Sequence, residues 1–111
     1  MYDFDSMVSA FDQQLEIPEE VKSSHTFTFP NRGPKFNRVQ LCGSFDNWKV
    51  RHEMNFDHFT NQWFIVVHLE PGIEYFYKYI TNNDNWVINE EEPKKKDNSG
   101  NVNNCCIVSA L

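Results

Sequence analysis

Ile73-Glu74-Tyr75-Phe76-Tyr77-Lys78-Tyr79-Ile80-Thr81 is the stretch that decides the fold. Tyrosine stands at positions 75, 77 and 79, with Phe76, Lys78 and Ile80 falling around them. A β-strand sends successive side chains to opposite faces. The alternation therefore predicts a strand whose tyrosines face a core, which sets Lys78 facing out. Pro71-Gly72 closes the chain before it, and Asn82-Asn83-Asp84-Asn85 turns it afterwards.

Similar signals lie on both sides. Upstream, His25-Thr26-Phe27-Thr28-Phe29 alternates and ends in the turn residues Pro30-Asn31-Arg32-Gly33-Pro34. Val39 to Gly43 reads as a strand, His52 to Phe56 as a short one, and Gln62 to Leu69 as a strong one. Downstream, Trp86-Val87-Ile88 and Val102 to Val108 complete the set. About seven short strands with turns every 8–12 residues read as an antiparallel, immunoglobulin-like β-sandwich. Its predicted interior holds Leu41, Trp63, Ile65, Val67, Tyr75, Tyr77 and Val102. The sandwich is expected over residues 25–111, and residues 1–24 form an N-terminal extension. There Met7, Ala10, Phe11 and Leu15 fall at helical spacing, with Asp5 or Ser6 as N-cap and Pro18 as a stop. The segment reads as a short helix on its own domain, a helix that docks a protein partner, or an extended tail.

Composition narrows the function. With 40% hydrophobic and 15% aromatic residues in 111, the chain can build one small core. A net charge of −6 argues against nucleic acid or an anionic membrane surface as partner. No apolar run is long enough to span a bilayer. The acidic start Met1-Tyr2-Asp3-Phe4-Asp5 lacks the pattern of a signal peptide. Three cysteines, two of them adjacent at Cys105 and Cys106, do not make a disulfide framework. With no Asn-x-Ser/Thr sequon, this points to a reducing, cytoplasmic setting. The histidines His25, His52, His58 and His68 match no zinc spacing. The carboxylates of Glu90-Glu91-Glu92 belong to a charged loop read as solvated surface, without the cleft that glycosidase chemistry needs. No catalytic residue, metal or cofactor is expected. The chain is rich in Asn, for which the sequence offers no mechanism.

Binding remains. Gly43-Ser44-Phe45-Asp46-Asn47-Trp48 carries a Trp out of a turn, and Asn82-Asn83-Asp84-Asn85-Trp86 carries a second. Loop tryptophans can plug a sandwich end or form a flat apolar platform. A pyranose has an apolar C–H face that suits a Trp ring and a polar rim that suits Lys and Asn.

Residues 36–108 resemble the glycogen-binding module of the AMP-activated protein kinase beta subunit, a family-48 carbohydrate-binding module. The likeness rests on Gly43 to Trp48, Pro71-Gly72 before Tyr75-Phe76-Tyr77-Lys78-Tyr79, Asn85-Trp86, and Gly100-Asn101-Val102-Asn103-Asn104. It implies a non-catalytic module that binds α-glucan or a maltooligosaccharide. Trp48 and Trp86 would stack on glucose, and Lys78 and Asn103 would bond its hydroxyls. Two positions depart from the family pattern. Ser99 stands where a Leu commonly helps hold the glucan, and Asn101 where a Thr is usual. The kinase subunit continues past its module into a segment that tethers other subunits, whereas the sequence here ends at Leu111, so the resemblance leaves membership of that complex open. The alternative is a structural or adaptor subunit of a larger intracellular assembly, cytoskeletal or other, using the same sandwich for protein contacts.

Overall fold

The computed structural model describes residues 22–31, 36–82 and 84–109. The expected helix over residues 7–15, its partner-docking role and the turn at Arg32-Gly33-Pro34 lie outside these residues.

The strands are β1 (Ser23–Pro30), β2 (Val39–Gly43), β3 (His52–Glu53), β4 (Asn55–Asp57), β5 (Gln62–Leu69), β6 (Glu74–Thr81), β7 (Asn85–Val87), β8 (Lys94–Lys96) and β9 (Val102–Ile107). They form two antiparallel sheets, ordered β1-β5-β4 and β3-β2-β6-β9-β8, with β7 also on β6. The expected all-β sandwich is the fold, and β6 is the central strand of its larger sheet. β1 begins at Ser23, so Ser23 and Ser24 belong to the sandwich rather than to the extension.

Two local readings need correction. The single strand expected over residues 52–56 is two. β3 joins β2 and β4 joins β5, because Met54 between them is buried in the core and its N–H donates to the Val39 carbonyl. The chain switches sheets at that anchor. The charged loop at residues 90–96 also ends in a strand, since an edge ladder needs backbone groups rather than apolar side chains. β8 pairs Lys94, Lys95 and Lys96 with Asn104, Asn103 and Val102.

The core lies between the sheets. Phe27, Leu41, Tyr77 and Tyr79 are essentially inaccessible to water. The Phe27 ring meets Tyr77 edge-on at 4.7 Å, and Phe29 lies 4.8 Å from Tyr79, so aromatic pairs join one sheet to the other. Trp63 is buried, and Ile65, Val67 and Tyr75 pack half-buried against the cluster. Val102, expected inside, is half-buried and outside the core. β6 pairs with β9 only as far as Tyr77 opposite Asn104, so Val102 faces the edge strand alone.

The two core tyrosines end on a carboxylate. Glu92 Oε1 accepts hydrogen bonds from Tyr79 (2.7 Å) and Tyr77 (3.1 Å). Burial lifts the Glu92 carboxyl above its ordinary 4.5, and the hydroxyl bonds offset part of that rise. A carboxyl raised in the fold favours the folded state most while protonated. Its contribution is therefore full below about pH 4.5 and is lost as pH climbs through the raised value. Glu92→Gln keeps an acceptor and cannot ionise. Its stability relative to the native chain is expected to improve steadily from pH 4 to pH 7, read from urea midpoints. A gap that stays constant with pH would contradict this.

Candidate carbohydrate-binding face

With Tyr77 and Tyr79 buried inward, Lys78 and Ile80 face out from the larger sheet. Register extends that face. Cys42 lies opposite Lys78, Gln40 opposite Ile80, and Trp86 opposite Ile80 on the other side. Continuing the β6–β9 ladder by one residue sets Asn103 beside Lys78. Because β2 occupies one edge of β6, β9 and β7 share the other. β9 takes the first half and β7 the second. Where β9 leaves and β7 begins, a shallow cleft of about 510 Å³ opens, lined by Lys78, Trp86, Val87, Ile88, Glu90 and Val102.

Trp48 sits on a strained turn at the end of β2. Ser44–Asp46 forms one turn of 3-10 helix, tied to β6 by the Phe76 N–H donating to Ser44 Oγ (3.0 Å). Asn47 and Trp48 then both take positive φ, 59° and 62°. A left-handed backbone costs a bulky residue about 1–2 kcal/mol and persists only where surroundings fix it. Here the Trp48 N–H donates to the Gly43 carbonyl at 2.8 Å, and the Cys42 thiol donates to the Trp48 carbonyl. Asp46 Oδ2 lies 2.7 Å from His52 Nε2 and braces the turn from β3. Trp48 and Trp86 are 38% and 43% exposed, which leaves much of each ring open to a ligand. Trp63, by contrast, is buried with its Nε1 donating to Asn31.

The far side of the site is the β8–β9 turn. Asp97 organises it, with Oδ1 accepting from the Ser99 and Asn101 N–H groups, each at 2.9 Å. These bonds, that from Asn101 foremost, hold the Asp97 carboxyl below its ordinary value. Ser99 and Asn101 are exposed on this turn. Asn103 is 8% exposed, and its Nδ2 donates to Asp97 Oδ2 at 3.4 Å, so part of its capacity is already engaged. Its neighbour Asn104 is fully buried and structural. Its amide bonds the backbone of Asn89, Glu92 and Pro93.

The larger sheet thus gathers Lys78, Trp86 and Asn103 on one face, and the turn carrying Trp48 is tied to it by the bond from the Cys42 thiol to the Trp48 carbonyl. Of the six expected site residues, Lys78 and Trp86 line the cleft. Trp48, Ser99, Asn101 and Asn103 are not among its lining residues. Reasoning from sequence missed Asp97 and Arg51. Asp97 three residues before Gly100 is a readable turn signature. Arg51 carries no such sign. Its Nη1 bonds Asp84 at 2.8 Å, and its guanidinium carbon lies 5.4 Å from the Trp86 ring centre. The Cys42 thiol serves the Trp48 turn and shows no reactive environment. Cys42, Cys105 and Cys106 are free, and burial pushes Cys106 up to about 11.

Residues 24–111 match the family model for the glycogen recognition site of AMP-activated protein kinase. The chain is also 36% identical over 87 residues to the phosphoglucan phosphatase LSF1, chloroplastic, of Arabidopsis thaliana. That match covers 77% of this chain and 14% of the plant protein, so the chain spans only a small part of that relative's length. The family match favours glucan recognition over the adaptor alternative. On the family match and the sandwich that carries it, the chain belongs to the glycogen-recognition modules of the AMP-activated protein kinase type, a non-catalytic carbohydrate-binding family.

Proposed function

We propose that the outward face of the larger sheet binds linear α-glucan, with Trp86 and Trp48 stacking on glucose rings. Lys78 donates to sugar hydroxyls, Asn103 offers its remaining amide capacity, and Asn101 and Ser99 flank the ligand. The observation that carries this is the pairing of half-exposed Trp86 with outward Lys78 in one cleft of a glycogen-recognition fold. The chain supplies recognition and no chemistry of its own. Its free thiols suit a reducing intracellular compartment.

The site is open, so much of a bound sugar stays in water while the entropy cost of association remains. Affinity for a short linear maltooligosaccharide is expected on the order of 10 µM to 1 mM. Contacts that are neutral apart from Lys78 make it depend little on salt. Branched glycogen binds more tightly where several copies engage at once. Isothermal titration with maltoheptaose tests this, and a folded protein that gives no heat at millimolar sugar would overturn it.

Ser99 is the position to change for gain. Replacing it with Leu adds apolar cover on an exposed turn that Asp97 already fixes. Ser99→Leu is expected to tighten maltoheptaose binding by about 1–2 kcal/mol, roughly tenfold, from the added side-chain burial. The same titration reads it, and an unchanged affinity would place Ser99 outside the ligand's footprint.

A further inference from the structure

Arg51 does something that neither the family match nor the glucan reading assigns. It directly precedes β3, whose His52 and Glu53 pair with Leu41 and Gln40. Two residues before Glu53, it shares that residue's outward phase. Trp86 stands across the same face, on β7 beyond β2 and β6. The two side chains reach toward each other over the sheet, and the guanidinium carbon comes within 5.4 Å of the Trp86 ring centre. Ile80 and Cys42, the outward residues of the strands between them, are only 2% and 1% exposed. Arg51 Nη1 also bonds Asp84 Oδ1 at 2.8 Å, on the turn that leads into β7. Arg51 does not line the cleft that Trp86 shares with Lys78. It comes from the β2–β3 side of β6, whereas the cleft opens on the β7–β9 side.

We infer that Arg51 is a positioning residue for glucan. It closes one face of Trp86, leaves the cleft-side face as the stacking surface, and straps the β6–β7 turn to the segment that follows Trp48. The need for a strap is local. β7 is three residues long and, among the described residues, pairs with β6 alone, so its backbone ladder holds the indole on one side only. A ligand that stacks on a ring already held in place loses less freedom on binding. The ion pair is solvent-exposed on both sides, 44% and 74%, so charge alone contributes little. The guanidinium lying over the ring must carry the effect, and the compact Lys ammonium is a poor substitute for it.

This rests on the glucan reading, and the experiment separates the two. Maltoheptaose binding is titrated for the native chain, Arg51→Ala, Arg51→Lys, Trp86→Ala and the Arg51→Ala, Trp86→Ala double variant. Arg51→Ala is expected to weaken binding roughly three- to fivefold, and Arg51→Lys to recover less than half of that. The Arg51→Ala effect should vanish in the Trp86→Ala background, a coupling that a general loss of structure would not show. Acrylamide quenching of tryptophan emission, measured without sugar, should rise in Arg51→Ala. A native chain that binds together with an unchanged Arg51→Ala overturns the strap alone. Tighter binding by Arg51→Ala would make the guanidinium a competitor for the ring and overturns it too. So does an equal loss with and without Trp86. A native chain that binds no glucan removes the strap along with the proposed function.

Discussion

Trp86→Ala is expected to weaken maltoheptaose binding by about ten- to thirtyfold while leaving the sandwich folded. A stacked pyranose removes on the order of 60–80 Å² of apolar area from water at about 25 cal/mol per Å², or roughly 1.5–2 kcal/mol. Each 1.4 kcal/mol is about a factor of ten in affinity. Folding should hardly notice, because Trp86 is already 43% exposed and belongs to no part of the buried core. The contrast is Trp63→Ala, which would empty a buried position and strand a bond to Asn31. Near-ultraviolet circular dichroism and a thermal melt, run beside the titration, distinguish the two. A Trp86→Ala protein that melts like the native chain and binds as well would remove Trp86 from the site.

Gly43→Ala should lower stability by about 1–3 kcal/mol, the usual range for overpacking, and weaken glucan binding as well. A Cβ at Gly43 would meet the Phe76 carbonyl oxygen at 2.8 Å and the Phe45 ring at 2.4 Å. The ring can swing aside. The carbonyl belongs to the central strand and cannot move without disturbing the β2–β6 ladder, where Gly43 pairs with Tyr77. The backbone at Gly43 is extended, so close approach is the cause rather than an unusual φ. Its carbonyl also accepts the Trp48 N–H. Strain there passes to the turn that presents Trp48. A chemical denaturation midpoint equal to the native one would show that the sheet absorbs a methyl group.

The central strand was legible in the sequence because three tyrosines in period two leave Lys78 only one direction. The outward placing of Lys78 and the inward placing of Tyr77 follow from that alone. The short pieces were less legible. β7 and β4 are three residues each, too short for periodicity to register. Glu92 looked like one of three solvated acids, and only the fold shows two core hydroxyls waiting above it. The abundance of Asn had no meaning until the loops closed. Asn82 Oδ1 caps the N–H groups of Asn37 and Arg38, and Asn89 reaches the Thr28 carbonyl on the opposite sheet. Such amides replace the ladder where the chain leaves it. Their partners lie 45 and 61 residues away, a distance at which local sequence carries no signal. Arg51 is invisible for the same reason, since its meaning lies in a hairpin on another part of the sheet.

Among the described residues, the sheet that carries the candidate face is bounded by a two-residue strand at one side and by Lys94-Lys95-Lys96 at the other. The first is too short to template another strand, and the second keeps charged side chains along its edge, with Lys94 paired to Glu90 and Lys95 to Glu74. A module held at high local density along a branched polymer would otherwise meet its own copies edge to edge. If the face holds glucan as proposed, modules crowded along one polymer would find a short edge on one side and a charged edge on the other, neither suited to a continuous sheet.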